Sequence, residues 1–274
     1  MVISVRGSNS DEAISAAFDE VRRIDSLMSL HRADSELSKL NARATKTISE
    51  DLFQVIEKAQ EISRLTEGSF DVTIRPVAEA WGFIQKEYHM PSQAQLAIAL
   101  SMVNYHYVQL DAARRSVEFS RPGITIDLGG IAKGYAVDCA IEKLRALGIT
   151  NAMVRAGGDL RVMGEWPVQI EDPGKRGQRK TIQLNDAAIS TSGNYENYFT
   201  VDGKRYGHIL NPRTGMPVDR VASCTVIAPT CMESDALATA LFVYGPERTA
   251  KRFGDTINVR FTLAAAQPDN VRGP

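Results

Sequence analysis

Ile124-Thr125-Ile126-Asp127-Leu128-Gly129-Gly130-Ile131-Ala132-Lys133-Gly134-Tyr135 reads as a strand, a sharp bend and the first turn of a helix. β-Branched residues lead into an acid, and two glycines free the backbone to turn. A helical pattern then runs from about residue 132 to 147, stopped at Gly148, and residues 151–155 form the next strand. The N–H groups of such a helix start, with the Lys133 ammonium beside them, suit a phosphate. The run matches neither GxGxxG nor GxxxxGK[ST], so it is no dinucleotide fingerprint or P-loop, and a plain tight turn with a surface lysine fits it as well.

Ile14, Ala17, Phe18, Val21, Ile24, Leu27 and Met28 recur at three- and four-residue steps behind Ser8-Asn9-Ser10 and Asp11-Glu12. This predicts a capped amphipathic helix. A second helix follows Ser49, with Leu52, Val55, Ile56, Ala59, Ile62 and Leu65 on one face and Gly68 as its stop. Residues 34–41 make a short capped turn of helix between them. Residues 107–110 and 116–119 pair as a hairpin, Asp202-Gly203 marks another turn, residues 221–227 are a β-branched strand, and residues 234–243 are a helix. Strands and helices interleave without a βαβ repeat. The expected fold class is α+β, with mixed sheets and packed helices in one domain, in one lobe or two.

Composition excludes several classes. The chain has 274 residues and a net charge of −1; 43% are hydrophobic and 24% charged, with Gly 20 and Pro 11. That is an ordinary globular balance without the basic excess of a nucleic-acid binder. Cys139, Cys224 and Cys231 are odd in number and form no CxxC pair, so neither a disulfide framework nor a zinc knuckle is expected. No apolar run reaches the ~18–20 residues of a membrane span. Met1-Val2-Ile3-Ser4-Val5-Arg6 reads as one strand, too short for an export signal.

Four further constellations carry polar chemistry. Asp235 and Thr239 lie one helical turn apart, so a carboxylate and a hydroxyl share one face. They suit Mg²⁺ completed by water and phosphate, or alternatively a helix cap and a hydroxyl returned to a carbonyl. His208 precedes the turn-rich Asn211-Pro212-Arg213-Thr214-Gly215, as a general base or as a loop histidine bonded to backbone. Ser190-Thr191-Ser192-Gly193-Asn194-Tyr195 is a polar substrate-lining loop rather than a GxSxG elbow. Trp81-Gly82-Phe83 either walls a flat ring system or belongs to the core.

Together these stretches resemble the ApbE family of FAD:protein FMN transferases. The matching segments are residues 34–41, 70–76 with 81–83, 127–138, Ala156-Gly157-Gly158-Asp159, 190–195, 208–217 and 235–239, in family order. The resemblance implies an ApbE-like fold that binds FAD and Mg²⁺ and transfers the FMN half to a threonine of an acceptor protein, such as a redox membrane subunit, releasing AMP. It further implies metal ligands at Asp235, Thr239 and the Ala132 carbonyl, and a base at His208. Flavin-nucleotide contacts fall at Trp81, Gly82, Phe83, Asp127, Gly130, Lys133 and Ile209. His31, standing where the family often places an aromatic ring, is a further expected cofactor contact. The family's first strand is expected to be shortened here, and resemblance suggests the periplasm or cell envelope, with the cytoplasm as the alternative. Hydrolysis of FAD to FMN and AMP, or FAD binding without turnover, are the competing functions.

Overall fold

The computed structural model describes residues 1–6, 10–43, 45–171, 179–194 and 197–264. The expected caps Ser8 and Asn9, and Tyr195, lie outside them. The chain opens with β1 (Val2–Val5), α1 (Ser10–Met28), α2 (Glu36–Asn41), α3 (Glu50–Leu65), α4 (Arg75–Ala80) and α5 (Gln93–Leu100). A hairpin of β2 (Val108–Asp111) and β3 (Ser116–Phe119) leads to α6 (Ala132–Ala146). Then come β4 (Ala152–Ala156), β5 (Asp159–Met163), β6 (Glu165–Glu171), β7 (Arg179–Asn185), β8 (Ala188–Gly193), β9 (Tyr198–Val201), β10 (Lys204–Gly207) and β11 (Val221–Ala228). The chain continues through α7 (Cys231–Tyr244), α8 (Pro246–Phe253) and β12 (Asn258–Leu263).

Six strands form the main sheet in the order β1-β4-β5-β8-β11-β12. The α+β class with packed helices holds. The sequence suggests mixed sheets, whereas every described strand pairing is antiparallel. Alternation assigns the two faces of the sheet. Ala152 and Val154 point to a cluster with α1 and α6, while Met153 packs with Leu160, Val162 and Trp166 toward the β6–β7 ribbon. On the helical side α7 is buried along most of its length, including Ala236, Leu237, Ala240, Leu241 and Phe242. It packs against β8, β11, α6 and α3.

Local chemistry sets the element ends. The Ser49 hydroxyl accepts from Leu52 N and caps α3, and Glu36 of α2 accepts from both Ser49 N and Oγ. Past α3, Gly68 takes φ +76° and its N–H returns to Ser63 O. Asp202 and Gly203 both have positive φ, as a two-residue hairpin requires.

Residues 124–128 correct the opening expectation. They join no sheet. The Asn41 side chain replaces a neighbouring strand: its Oδ1 accepts from Ile126 N at 2.8 Å and its Nδ2 donates to Ile126 O at 2.9 Å. Asp127 N donates to Val72 O at 2.7 Å. The backbone is thus satisfied without a ladder.

The start of α7 is also longer than the sequence suggests. Cys231 N and Met232 N donate to the two carboxylate oxygens of Asp138 on α6, each at 2.8 Å. Arg161 donates to the same carboxylate at 2.9 Å. Asp138→Ala would strand the N–H groups of Cys231 and Met232 and leave Arg161 with Glu142 alone, and should cost about 2–4 kcal/mol of unfolding free energy. Urea denaturation of parent and variant measures this.

Candidate active site

The diglycine bend, the N-terminus of α6, the start of β5, the end of β8 and one face of α7 surround a cavity of about 370 Å³. Asp127 begins the wall. Its Oδ1 accepts from Gly129 N at 2.7 Å, an Asx turn that fixes the bend. Gly130 lies against α7: a Cβ there would sit 3.1 Å from the Phe70 ring and 3.4 Å from Thr239 Oγ1. Thr239 Oγ1 and Ser192 Oγ of β8 are 2.9 Å apart.

Asp235, one turn before Thr239, is 3% exposed. Gly134 N donates to its Oδ2 at 3.0 Å, a reach that depends on the close approach of α6 to α7. Lys133 Nζ stands 3.2 Å from Asp235 Oδ2, 3.2 Å from Asp159 Oδ2 and 3.0 Å from Gly129 O. Burial pushes the Asp235 carboxyl up to about 6; Lys133 and the Gly134 N–H oppose the rise, and Asp159 adds to it. For Lys133, burial acts to lower the pKa, but the two aspartates outweigh it and hold the ammonium above its usual value.

His208 follows β10 on the cavity wall. Its backbone N–H donates to Asn197 O, and its Nδ1 lies 3.1 Å from the same oxygen. Ile209 and Leu210 continue that wall. The following loop closes on itself through Gly215 N to Asn211 O, and its Gly215 carbonyl accepts from Trp81 Nε1 at 2.8 Å.

Of the residues singled out by sequence, Phe83, Asp127, Gly130, Lys133, His208, Ile209, Asp235 and Thr239 line the cavity. Trp81 is 1% exposed and stands behind Phe83, with its ring centroid 5.5 Å from Tyr206 and 6.2 Å from Phe199. Gly82 adopts φ +73°, and a Cβ there would meet Glu87 O at 2.0 Å. Ala132 opens α6 beside the bend. His31 is exposed in the turn after α1 and does not line the cavity. The 190–195 stretch is mostly strand: Thr191, Ser192 and Gly193 line the cavity, and Ser190 is buried, bonded to Ser234 at 2.8 Å.

Two contributors carry no role from sequence reasoning. Asp159, 4% exposed, is the second carboxylate on Lys133. Asp71 accepts from Thr73 and from Tyr105 N; burial raises its pKa against those donors. Asp159 follows a second diglycine, Gly157-Gly158, and that bend is its one sequence signal.

The charge balance restricts the chemistry. The described lining carries four carboxylates, Asp71, Asp127, Asp159 and Asp235, against one ammonium, Lys133, and one imidazole, His208. A diphosphate entering this space meets excess negative charge unless a cation accompanies it. Asp235 and Thr239 offer hard oxygen donors for such an ion. Among the described residues no group of three His, Cys, Asp or Glu side chains could hold a metal. One carboxylate and one hydroxyl are donors of the kind Mg²⁺ takes when water and phosphate complete its shell.

A family model described as the ApbE family matches residues 1–260. A FAD:protein FMN transferase of Haemophilus influenzae is 36% identical over 264 residues, covering 90% of this chain and 75% of the relative. One from Vibrio cholerae is 36% identical over 242 residues, covering 83% and 72%. Among solved structures, an ApbE protein from Thermotoga maritima superposes with a TM-score of 0.86 at 33% identity, over 96% of this chain and 90% of that one. The apo flavinyl transferase ApbE of Pseudomonas stutzeri gives 0.84 at 28% identity, over 96% and 86%.

Proposed function

This chain belongs to the ApbE family, and from that premise we propose that it transfers the FMN moiety of FAD to a threonine hydroxyl of an acceptor protein, releasing AMP with Mg²⁺ bound. The observation that carries this reading is the cavity's charge pattern: carboxylates, one ammonium and a helix N-terminus gathered at a diglycine bend. A redox membrane subunit is the acceptor class the family suggests. Among the described residues no helix is long and apolar enough to cross a membrane.

Asp235 and Thr239 would hold the metal. Mg²⁺ supplies charge neutralisation on the diphosphate and the departing AMP. Lys133 binds and orients the phosphates at the start of α6. Phe83 and Ile209 offer apolar wall to the flavin. The threonine oxygen forms a bond to the flavin-side phosphorus while the bond from that phosphorus to the AMP oxygen breaks. His208 accepts the hydroxyl proton as this happens.

Incubation with FAD, Mg²⁺ and a threonine-bearing acceptor should give an acceptor band that fluoresces in a denaturing gel, with AMP in equal amount. FMN free in solution without an acceptor would mark a hydrolase instead. His208→Ala should lower labelling by about 10²–10⁴. EDTA should abolish it, and added Mg²⁺ should restore it.

A further inference from the structure

Lys133 spends its hydrogen bonds inside the protein. Gly129 O, Asp159 Oδ2 and Asp235 Oδ2 stand 3.0, 3.2 and 3.2 Å from Nζ, one acceptor for each ammonium hydrogen. Asp235 is also the carboxylate that a divalent ion would require, so the ammonium and the metal compete for the same oxygens. The two acids are enclosed, each side chain only 5% exposed, Asp159 at the start of β5 and Asp235 within α7. The lysine can move aside, because half its side chain, 52%, is open to solvent.

The charges are unequal as well. Asp159 and Asp235 together carry −2 and Lys133 returns +1, so the trio keeps one uncompensated negative charge. A divalent ion on Asp235 and Thr239 would remove that deficit and leave the ammonium with Asp159 alone.

We propose that Lys133 is the placeholder cation of the metal site, and that Asp159 is the positioning residue that keeps it there and retains it after displacement. Before the metal arrives, Lys133 neutralises Asp235. When the ion takes Asp235, the ammonium stays tethered to Asp159 at the cavity wall, with one N–H free for a phosphate oxygen. Metal and dinucleotide then favour each other's binding, because each relieves a charge that the other leaves exposed. This rests on the metal reading above, and the test separates the two.

The probe is Mn²⁺ alone, followed by electron paramagnetic resonance on the full chain without FAD. Lys133→Met should bind Mn²⁺ about tenfold more tightly than the parent, and Asp159→Asn about tenfold more weakly. In the Lys133→Met background the Asp159→Asn loss should shrink to about threefold, the share left by the charge of Asp159 on Asp235, because the rest acts through the ammonium. Unchanged or weaker binding by Lys133→Met overturns the proposal. So does an equal Asp159→Asn loss in both backgrounds, which would make Asp159 a direct ligand. The unmodified chain gives a second readout: Mg²⁺ alone should raise acetylation of Lys133 several-fold by peptide mass spectrometry, and unchanged labelling contradicts displacement. Failure of every variant to bind Mn²⁺, with or without FAD, overturns the metal reading and this inference together. Mn²⁺ binding indifferent to Lys133 overturns this inference alone.

Discussion

Asp235→Asn is expected to lower Mg²⁺-dependent AMP release from FAD by at least about 10²–10³ while the protein stays folded. The two effects separate because the charge serves the reaction and burdens the fold. Asparagine keeps the shape and an oxygen to accept from Gly134 N, so the contact between α6 and α7 survives. Lys133 is left paired one-to-one with Asp159. The carboxyl at Asp235 is held at about 6 rather than 3.8, first by burial and then, against Lys133, by Asp159. A folded-state value above the unfolded one means that the group's contribution to stability is complete at low pH and is lost as pH rises through about 6. Without metal, the parent's stability relative to Asp235→Asn should therefore fall between about pH 4 and pH 7. Calorimetric melting of both proteins across that window, alongside AMP release measured by chromatography, tests both halves. A variant that keeps parental AMP release would remove Asp235 from the chemistry.

Gly134→Ala should do the reverse and damage the fold first. Inside an ordinary helix this change stabilises by about 1 kcal/mol. Here the added Cβ would lie 2.3 Å from Cys231 O, 2.6 Å from Cys231 C and 2.8 Å from Met232 Cα. All are backbone atoms, so no side chain can swing away, and α6 must retreat from α7. That retreat stretches the Asp138 bonds to Cys231 N and Met232 N and the Gly134 bond to Asp235. A loss of about 3 kcal/mol or more in urea unfolding is expected, with activity lost as well. Gly130→Ala is the milder comparison, since its Cβ would meet side-chain atoms no nearer than 3.1 Å.

Much of this arrangement is legible from sequence where the signal is local. The apolar spacing of α1 and α3, the Ser49 cap and the Asp202-Gly203 hairpin each follow from neighbouring residues. The cavity residues are visible as motifs in order, because bends and helix starts have short signatures. Partners distant in sequence leave no such trace. Residues 124–128 read as a strand, yet the group that satisfies Ile126 is Asn41, 85 positions away. The helix start at Cys231 depends on Asp138, 93 positions earlier. Short α4, α5 and α8 escape a reading based on repeated apolar spacing, having six to eight residues each. Sequence leaves the aromatic run at residues 81–83 open between core and ring wall, and the structure divides it: Trp81 is buried while Phe83 lines the cavity. Asp159 was visible in a motif, but its role needed the position of Lys133.

The decisive measurement is a crystal structure with Mn²⁺ and FAD bound, with data collected for the manganese anomalous signal. One strong peak is expected within about 2.0–2.3 Å of an Asp235 carboxylate oxygen and Thr239 Oγ1, touching the diphosphate beside Gly130. A diphosphate bound elsewhere, or manganese with neither Asp235 nor Thr239 in its shell, would contradict this assignment.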